Sequence, residues 1–387
     1  MSAHSHRQHR FGLNYVPSKR WYYCWNDWDR SEIAADFDAI AALGVDHLRV
    51  MLVWPWFQPN PATVSAAHVG RLADLMSEAE QRGLDVIVCP LTGWLSGFKF
   101  LPPGVEAEAI FLEERVNAQV RIYFQALMAA IGNRPNFFGF DLGNEINVMV
   151  PNLPQADGDR WGKQLVDWLR PQIPGKWIVN GVDNHPWFTG RTFSTGHLIE
   201  NYDAVAIHAW PMFTSCLLRG GLADAPSAHL SAFLTHLTRH VMAQSGKEIP
   251  VWIQEFGCSS LWGSEKSKEV YLRQSVGHAV QAGATWFTWW CSHDIDRGYQ
   301  FDPLEYDLGL FTTDNQPKPL AHVFKELIAT YADQFVIRNQ LYPGFGPDFK
   351  PAITKVLPNA QWLEQNLETT TWPVFDEYLG FKKTQGL

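Results

Sequence analysis

Two glutamates stand at the ends of short apolar runs, Glu145 closing Phe137-Phe-Gly-Phe-Asp-Leu-Gly-Asn-Glu145 and Glu255 within Ile249-Pro-Val-Trp-Ile-Gln-Glu255-Phe-Gly. Two carboxyl groups delivered to one end of a parallel barrel have the chemistry to cleave a glycosidic bond, one protonating the departing oxygen while the other attacks the sugar carbon. Taken singly, either glutamate could be a structural ion-pair partner. Arg49, a possible plain salt-bridge residue, and His208, a possible satisfied core histidine, gain a chemical reading only beside that pair. Trp94, Trp210 and Trp290, with Trp54, Trp56, Trp187 and Trp262, fall near strand ends, where an indole can stack on a sugar's C–H face or simply pack. Asp183, Asn184 and His185, and further on His293 and Asp294, could bind sugar hydroxyls. No third ligand lies near His293 and Asp294 at a recognised spacing, so neither a metal nor another cofactor is expected.

Such residues need strands to carry them. Short apolar runs recur at Phe11 to Tyr15, His47 to Val53, Val86 to Leu91, Phe137 to Leu142, Trp177 to Asn180, Ala204 to His208, Val251 to Gln254 and Thr285 to Trp290. Between them lie helical spacings. Ile33, Phe37, Ile40 and Leu43 precede a natural stop at Gly44. Ser65 is placed to cap a helix carrying Val69, Leu72, Leu75 and Met76 that ends near Gly83, and Val116, Val120, Phe124, Leu127 and Ile131 lead to Gly132. Continuously apolar strands alternating with helices predict a closed (β/α)8 TIM barrel of the α/β class. The open doubly wound sheet is the alternative, and no GxGxxG or GxxxxGK loop follows any strand to favour it.

The 387 residues, 46% hydrophobic, suffice for one large core. We read a polar tail over 1–10, a single catalytic barrel over 11–330, and an aromatic, proline-containing extension over 331–387 that packs on the barrel or on a neighbouring subunit, which makes a homo-oligomer plausible. The net charge of −9 and pI of about 5.9 come without a basic cluster, so neither nucleic acid nor an anionic membrane is an expected partner. Five scattered cysteines without CxxC spacing read as thiols. With no apolar stretch in Met1 to Arg10, the expectation is a cytoplasmic protein.

Asn144-Glu145 after the fourth strand, Glu255 after the seventh, Arg49 on the second and Trp290 on the eighth resemble the clan A retaining glycosidases, specifically glycoside hydrolase family 5. The likeness covers residues 11 to about 330. It implies that Glu145 is the general acid/base, that Asn144 holds the sugar 2-hydroxyl, and that Glu255 is the nucleophile forming a glycosyl-enzyme with retention of configuration. It implies further that Arg49 pairs with Glu255 and keeps it ionised, and that Trp290 floors the sugar site. Two departures stand out. Where the family has His-x-Tyr this chain has His208-Ala-Trp210, which leaves the nucleophile without the tyrosine hydroxyl, and the third strand ends Cys89-Pro-Leu-Thr-Gly-Trp94 where many relatives place a histidine.

Gly12-Leu-Asn-Tyr-Val-Pro-Ser18, Trp54-Pro-Trp-Phe-Gln-Pro59 and Leu91-Thr-Gly-Trp-Leu-Ser-Gly97 look most like subfamily 18. That resemblance implies an intracellular exo-β-mannosidase acting on a small oligosaccharide, Man-β-1,4-GlcNAc of the N-glycan core. An endo-β-1,4-mannanase or endo-glucanase, a transglycosylase and an inactive carbohydrate-binding barrel remain as alternatives at this stage.

Overall fold

The computed structural model describes residues 7–188, 191–214, 216–337, 341–345 and 372–385. Its frame is eight parallel strands: β1 (Arg10–Tyr15), β2 (His47–Met51), β3 (Asp85–Cys89), β4 (Phe137–Asn144), β5 (Trp177–Gly181), β6 (Val205–His208), β7 (Val251–Phe256) and β8 (Trp286–Trp289). They pair in the order β5-β4-β3-β2-β1-β8-β7-β6. At the seam between the outer two, Asp203 N–H donates to the Ile178 carbonyl at 3.0 Å, and the curled sheet makes a (β/α)8 barrel. β2 and β3 are buried along their whole length, so the polar side chains they carry, His47 and Arg49 on β2 and Asp85 on β3, are buried and partnered.

Helices α1 (Arg30–Ala41), α2 (Ala66–Gln81), α3 (Glu114–Ile131), α4 (Gln155–Leu169), α5 (Thr195–Asn201), α6 (Ala225–Ser245), α7 (Glu265–Ala282) and α8 (Pro319–Tyr331) follow the strands in turn. Ser65 caps α2 by accepting from His68 N–H, and Asp29 does the same for α1 toward Ser31 and Glu32. Gly44 and Gly83 take the left-handed conformation at φ 83° and 69°, as their stop role requires, whereas Gly132 stays right-handed at φ −57°.

Inside the barrel, Ile87, Val179, Ala204, Trp252 and Trp286 form a packed layer beneath the strand ends. Above it the regular alternation breaks. β7 slips register between Ile253 and Glu255 against β6, and β4 slips between Asp141 and Asn144 against β5. Such bulges let neighbouring residues turn to the same side, and here they aim consecutive polar side chains into the barrel mouth.

A final helix, α9 (Trp372–Thr384), lies on α6, with Phe375 and Tyr378 buried and the Phe375 ring 4.6 Å from that of Phe233. Residues 338–340, 346–371 and 386–387 of the extension and residues 1–6 of the polar tail are outside the described residues. Among the described residues no helix is long and apolar enough to cross a membrane.

Candidate active site

Arg49, fully buried on β2, organises the floor of the strand ends. Its Nε donates to Asp141 Oδ2 at 2.7 Å, Nη1 to Glu255 Oε1 at 2.7 Å and to Asn14 Oδ1 at 3.0 Å, and Nη2 to Asn144 Oδ1 at 2.8 Å. Burial disfavours the guanidinium charge, but Asp141, and with it Glu255, outweighs that penalty and raises the Arg49 pKa. One guanidinium therefore spans two buried carboxyl groups. Removing it would leave both uncompensated, at a cost of about 3–5 kcal/mol.

Glu255 is held at both oxygens. Oε1 takes the Arg49 hydrogen bond, while Oε2 accepts from the indole N–H of Trp210 at 3.2 Å and lies 3.4 Å from His208 Nδ1. The indole thus occupies the contact that the missing tyrosine left open. An indole N–H can only donate, so it steadies a carboxylate without competing for its proton.

Glu145 follows β4 directly and sits at φ 45°, left-handed backbone that costs a non-glycine residue about 1–2 kcal/mol. The Glu145 N–H to Gly181 carbonyl bond of 2.7 Å fixes this turn and swings the carboxyl group over the barrel. There Glu145 Oε1 is 2.7 Å from His208 Nδ1. Burial lifts the Glu145 carboxyl above its usual range; His208 opposes the lift, and Glu255 and Asp183 add to it. The same two glutamates, outweighing the effect of burial, raise the pKa of His208.

These groups open into a cavity of about 400 Å³ lined by Trp94, Asn144, Glu145, Asn184, His208, Trp210, Glu255 and Trp290, among others. Of the residues anticipated from sequence, these eight reach its wall, and Arg49 lies directly beneath. Asn144 accepts from Arg49 and donates one amide hydrogen to the Trp94 carbonyl at 2.5 Å, which leaves its second N–H free to meet a hydroxyl. Asp183 and His185 also line the cavity.

Other anticipated residues do not reach it. His293 is buried against Val16 and Asn315, and Asp294 holds Lys318 at 2.7 Å, so both serve the packing of the loop after β8. Trp54 and Trp187 are wholly buried packing residues. Sequence reasoning passed over Asp141, Gln254 and Asn14, because strand alternation gives no sign that a polar residue faces inward next to a glutamate. It also missed Glu305, a further carboxyl in the cavity wall, whose pKa burial lifts to about 7.

Among the described residues, Glu145, His208 and Glu255 are the one trio of acidic, histidine or cysteine side chains close enough to share a cation, with donor atoms within 4.8 Å of one another. Arg49 at 2.7 Å from Glu255 already supplies positive charge there. All five cysteines are buried free thiols.

No family model matches the chain. Among solved structures, a glycoside hydrolase family 5 subfamily 18 protein from Streptomyces cattleya, in complex with GlcNAc, is 32% identical, with a TM-score of 0.78 over 84% of this chain and 81% of that one. A Glu-to-Ala variant of a subfamily 18 protein from Streptomyces cattleya, in complex with Manβ1-4GlcNAc, is 28% identical with a TM-score of 0.83, covering 97% of this chain and 92% of that one. A Glu-to-Ala variant from Bifidobacterium longum subsp. longum, in complex with the same disaccharide, is 29% identical with a TM-score of 0.77 over 85% and 79% of the two chains. Mannan endo-1,4-β-mannosidase A of Podospora anserina is 24% identical over 212 residues, 46% of this chain, and the chain spans 56% of that curated relative's length.

Proposed function

The chain belongs to glycoside hydrolase family 5, subfamily 18, and from that premise we propose that it is a retaining exo-β-mannosidase releasing mannose from short β-1,4-linked mannosides such as Manβ1-4GlcNAc. In the first step Glu255 attacks the anomeric carbon as Glu145 gives its proton to the departing oxygen, leaving a glycosyl-enzyme ester. In the second, Glu145 takes a proton from water, whose oxygen displaces Glu255. Arg49 and the Trp210 N–H hold the nucleophile aimed at the anomeric carbon; Asn144 meets the sugar 2-hydroxyl, Trp290 floors the ring, and Trp94 and Asn184 bind around it. A carboxylate oxygen of each glutamate within 4.8 Å of the other supports the covalent route, since inverting pairs stand about 6.5–9.5 Å apart to admit a water.

The observation that carries the exo reading is an aromatic cluster that ties together two segments of the cavity wall. The hairpin of Trp94–Leu95 and Phe98–Lys99 and the loop over 301–308 both line the cavity, and Phe98 and Phe301 join them at 5.3 Å. Trp21, from the loop after β1, packs on Phe301 at 4.7 Å and on Phe98 at 5.9 Å. This aromatic cluster beside the cavity supports a blocked end that would take a terminal mannose over an open groove that would take a long polymer. The subfamily 18 complexes with Manβ1-4GlcNAc support that disaccharide as the substrate. Five unpaired buried thiols support a reducing, cytoplasmic setting. The deciding experiment presents Manβ1-4GlcNAc, mannobiose, cellobiose and glucomannan, with the first-formed anomer followed by proton NMR. Release of β-mannose from the short mannosides is expected. Cleavage confined to internal polymer bonds overturns the exo reading, and an α-anomer overturns the covalent route.

A further inference from the structure

Gln254 directly precedes the proposed nucleophile and is fully buried, yet it has no place in the reaction just described. The register slip of β7 between Ile253 and Glu255 allows both residues to face the barrel interior. Its side-chain amide joins two groups of the site: Nε2 donates to Asp141 Oδ2 at 3.2 Å, and Oε1 lies 2.9 Å from His208 Nε2. The orientation of that amide follows from Asp141. This carboxyl is surrounded by donors, receiving Arg49 Nε at 2.7 Å and Gly181 N–H at 2.6 Å, so Gln254 must show it the NH2 end and turn its carbonyl oxygen to the histidine.

A carbonyl oxygen only accepts, so His208 Nε2 must carry a hydrogen. On a neutral imidazole Nδ1 is then bare, and it faces Glu145 Oε1 at 2.7 Å. A short contact between a bare nitrogen and a carboxylate oxygen is repulsive unless a proton lies between them. We infer that Gln254 is a positioning residue: by holding one proton on His208 Nε2 it makes Nδ1 and Glu145 share another, and so keeps Glu145 loaded as an acid. The opposite tautomer would satisfy Glu145 as a plain carboxylate with nothing to donate. Once Glu145 has protonated the departing oxygen, its carboxylate faces the bare Nδ1 and is driven to recover a proton from the incoming water. The charged groups around His208 are Glu145, Glu255, Arg49 and Asp141, and their arrangement leaves Gln254 as the neutral hydrogen-bond partner of Nε2.

This inference rests on Glu145 being the acid/base, and the two can fail separately. In the intact enzyme labelled with 15N-histidine, the His208 resonances are expected to show a protonated Nε2 at neutral pH; a neutral ring with Nε2 bare and Nδ1 protonated overturns the inference whatever Glu145 does. Gln254→Met removes the acceptor at similar size. It is expected to lower kcat/KM for Manβ1-4GlcNAc by about 10–100-fold, to change kcat/KM for 2,4-dinitrophenyl β-mannoside, whose departure needs no proton, by less than about 3-fold, and to move the alkaline limb of kcat/KM for Manβ1-4GlcNAc to lower pH. Equal losses on both substrates with unmoved limbs would mean a merely structural role. Failure of azide to rescue Glu145→Ala would instead remove the acid/base assignment while leaving the tautomer result standing.

Discussion

At the scale of single residues, the two glutamates are made different by their neighbours. Glu255 has a guanidinium at 2.7 Å and an indole N–H at 3.2 Å, whereas Glu145 has only a histidine with which to share a proton. The raised pKa of Glu145 means that its proton is present below that pKa and is lost as pH rises through it, so in the proposed acid/base role this group is expected to set an alkaline limb in kcat/KM. Glu145→Ala should erase that limb, spare the first step on substrates with good leaving groups and gain turnover with added azide; a limb that persists in the variant assigns it elsewhere. Trp210→Phe keeps an aromatic ring, though a smaller one, and removes the hydrogen bond to Glu255. Hydrogen bonds to charged groups contribute about 1.5–3 kcal/mol, so kcat/KM should fall about 10–100-fold with little change in thermal stability. A fall below about 3-fold in steady-state assays would show that the indole merely packs.

At the scale of elements, the site depends on close approach between strands. Gly181 at the end of β5 donates its N–H to Asp141 and accepts the Glu145 N–H through its carbonyl. A Cβ there would lie 2.5 Å from both Arg49 Nη2 and Asp141 Oδ2. Gly181→Ala should therefore disturb the Arg49 network and the Glu145 turn together. Overpacking of this kind costs about 1–3 kcal/mol, and activity should fall further than stability, by at least about 100-fold. A variant with normal kcat/KM and an unshifted melting curve would contradict the packing described here. The same scale shows what sequence could not. Strand positions were legible from apolar runs, but the slips in β4 and β7 come from pairing with neighbouring strands. They bring Asp141 and Asn144, and then Gln254 and Glu255, to the same mouth.

For the molecule as a whole, the outer helices α6 and α7 carry a histidine-rich seam under α9. His229 on α6 stacks on His278 of α7 at 3.8 Å, and His236 and Tyr378 pack alongside. Burial lowers His229 and His236 to about 3 and His278 to about 4, with the Lys382 charge adding to each. Their folded pKa values lie below the unfolded 6.5, so the unfolded chain takes up the protons first. The stability these groups allow is complete above pH 6.5 and is lost as pH falls toward 3. Melting temperature should therefore decline steeply from pH 6.5 to 4, and His229→Gln should flatten that slope; an unchanged slope would assign acid lability to the carboxylates.

The sequence by itself determined the alternation of strand and helix, the capping at Ser65, the stops at Gly44 and Gly83, and the delivery of Glu145 and Glu255 to strand ends. All of these are local, written in periodicity and in residues whose backbone preferences are strong. The tertiary structure decided which polar groups share a proton or a charge. That Arg49 spans Asp141 as well as Glu255, that Trp210 replaces a hydroxyl, and that His293 is walled in while Glu305 lines the cavity follow from register, bulges and loop packing among segments up to hundreds of residues apart. No window of sequence contains those contacts, because each is fixed by the closure of the barrel rather than by the conformation of its own residues.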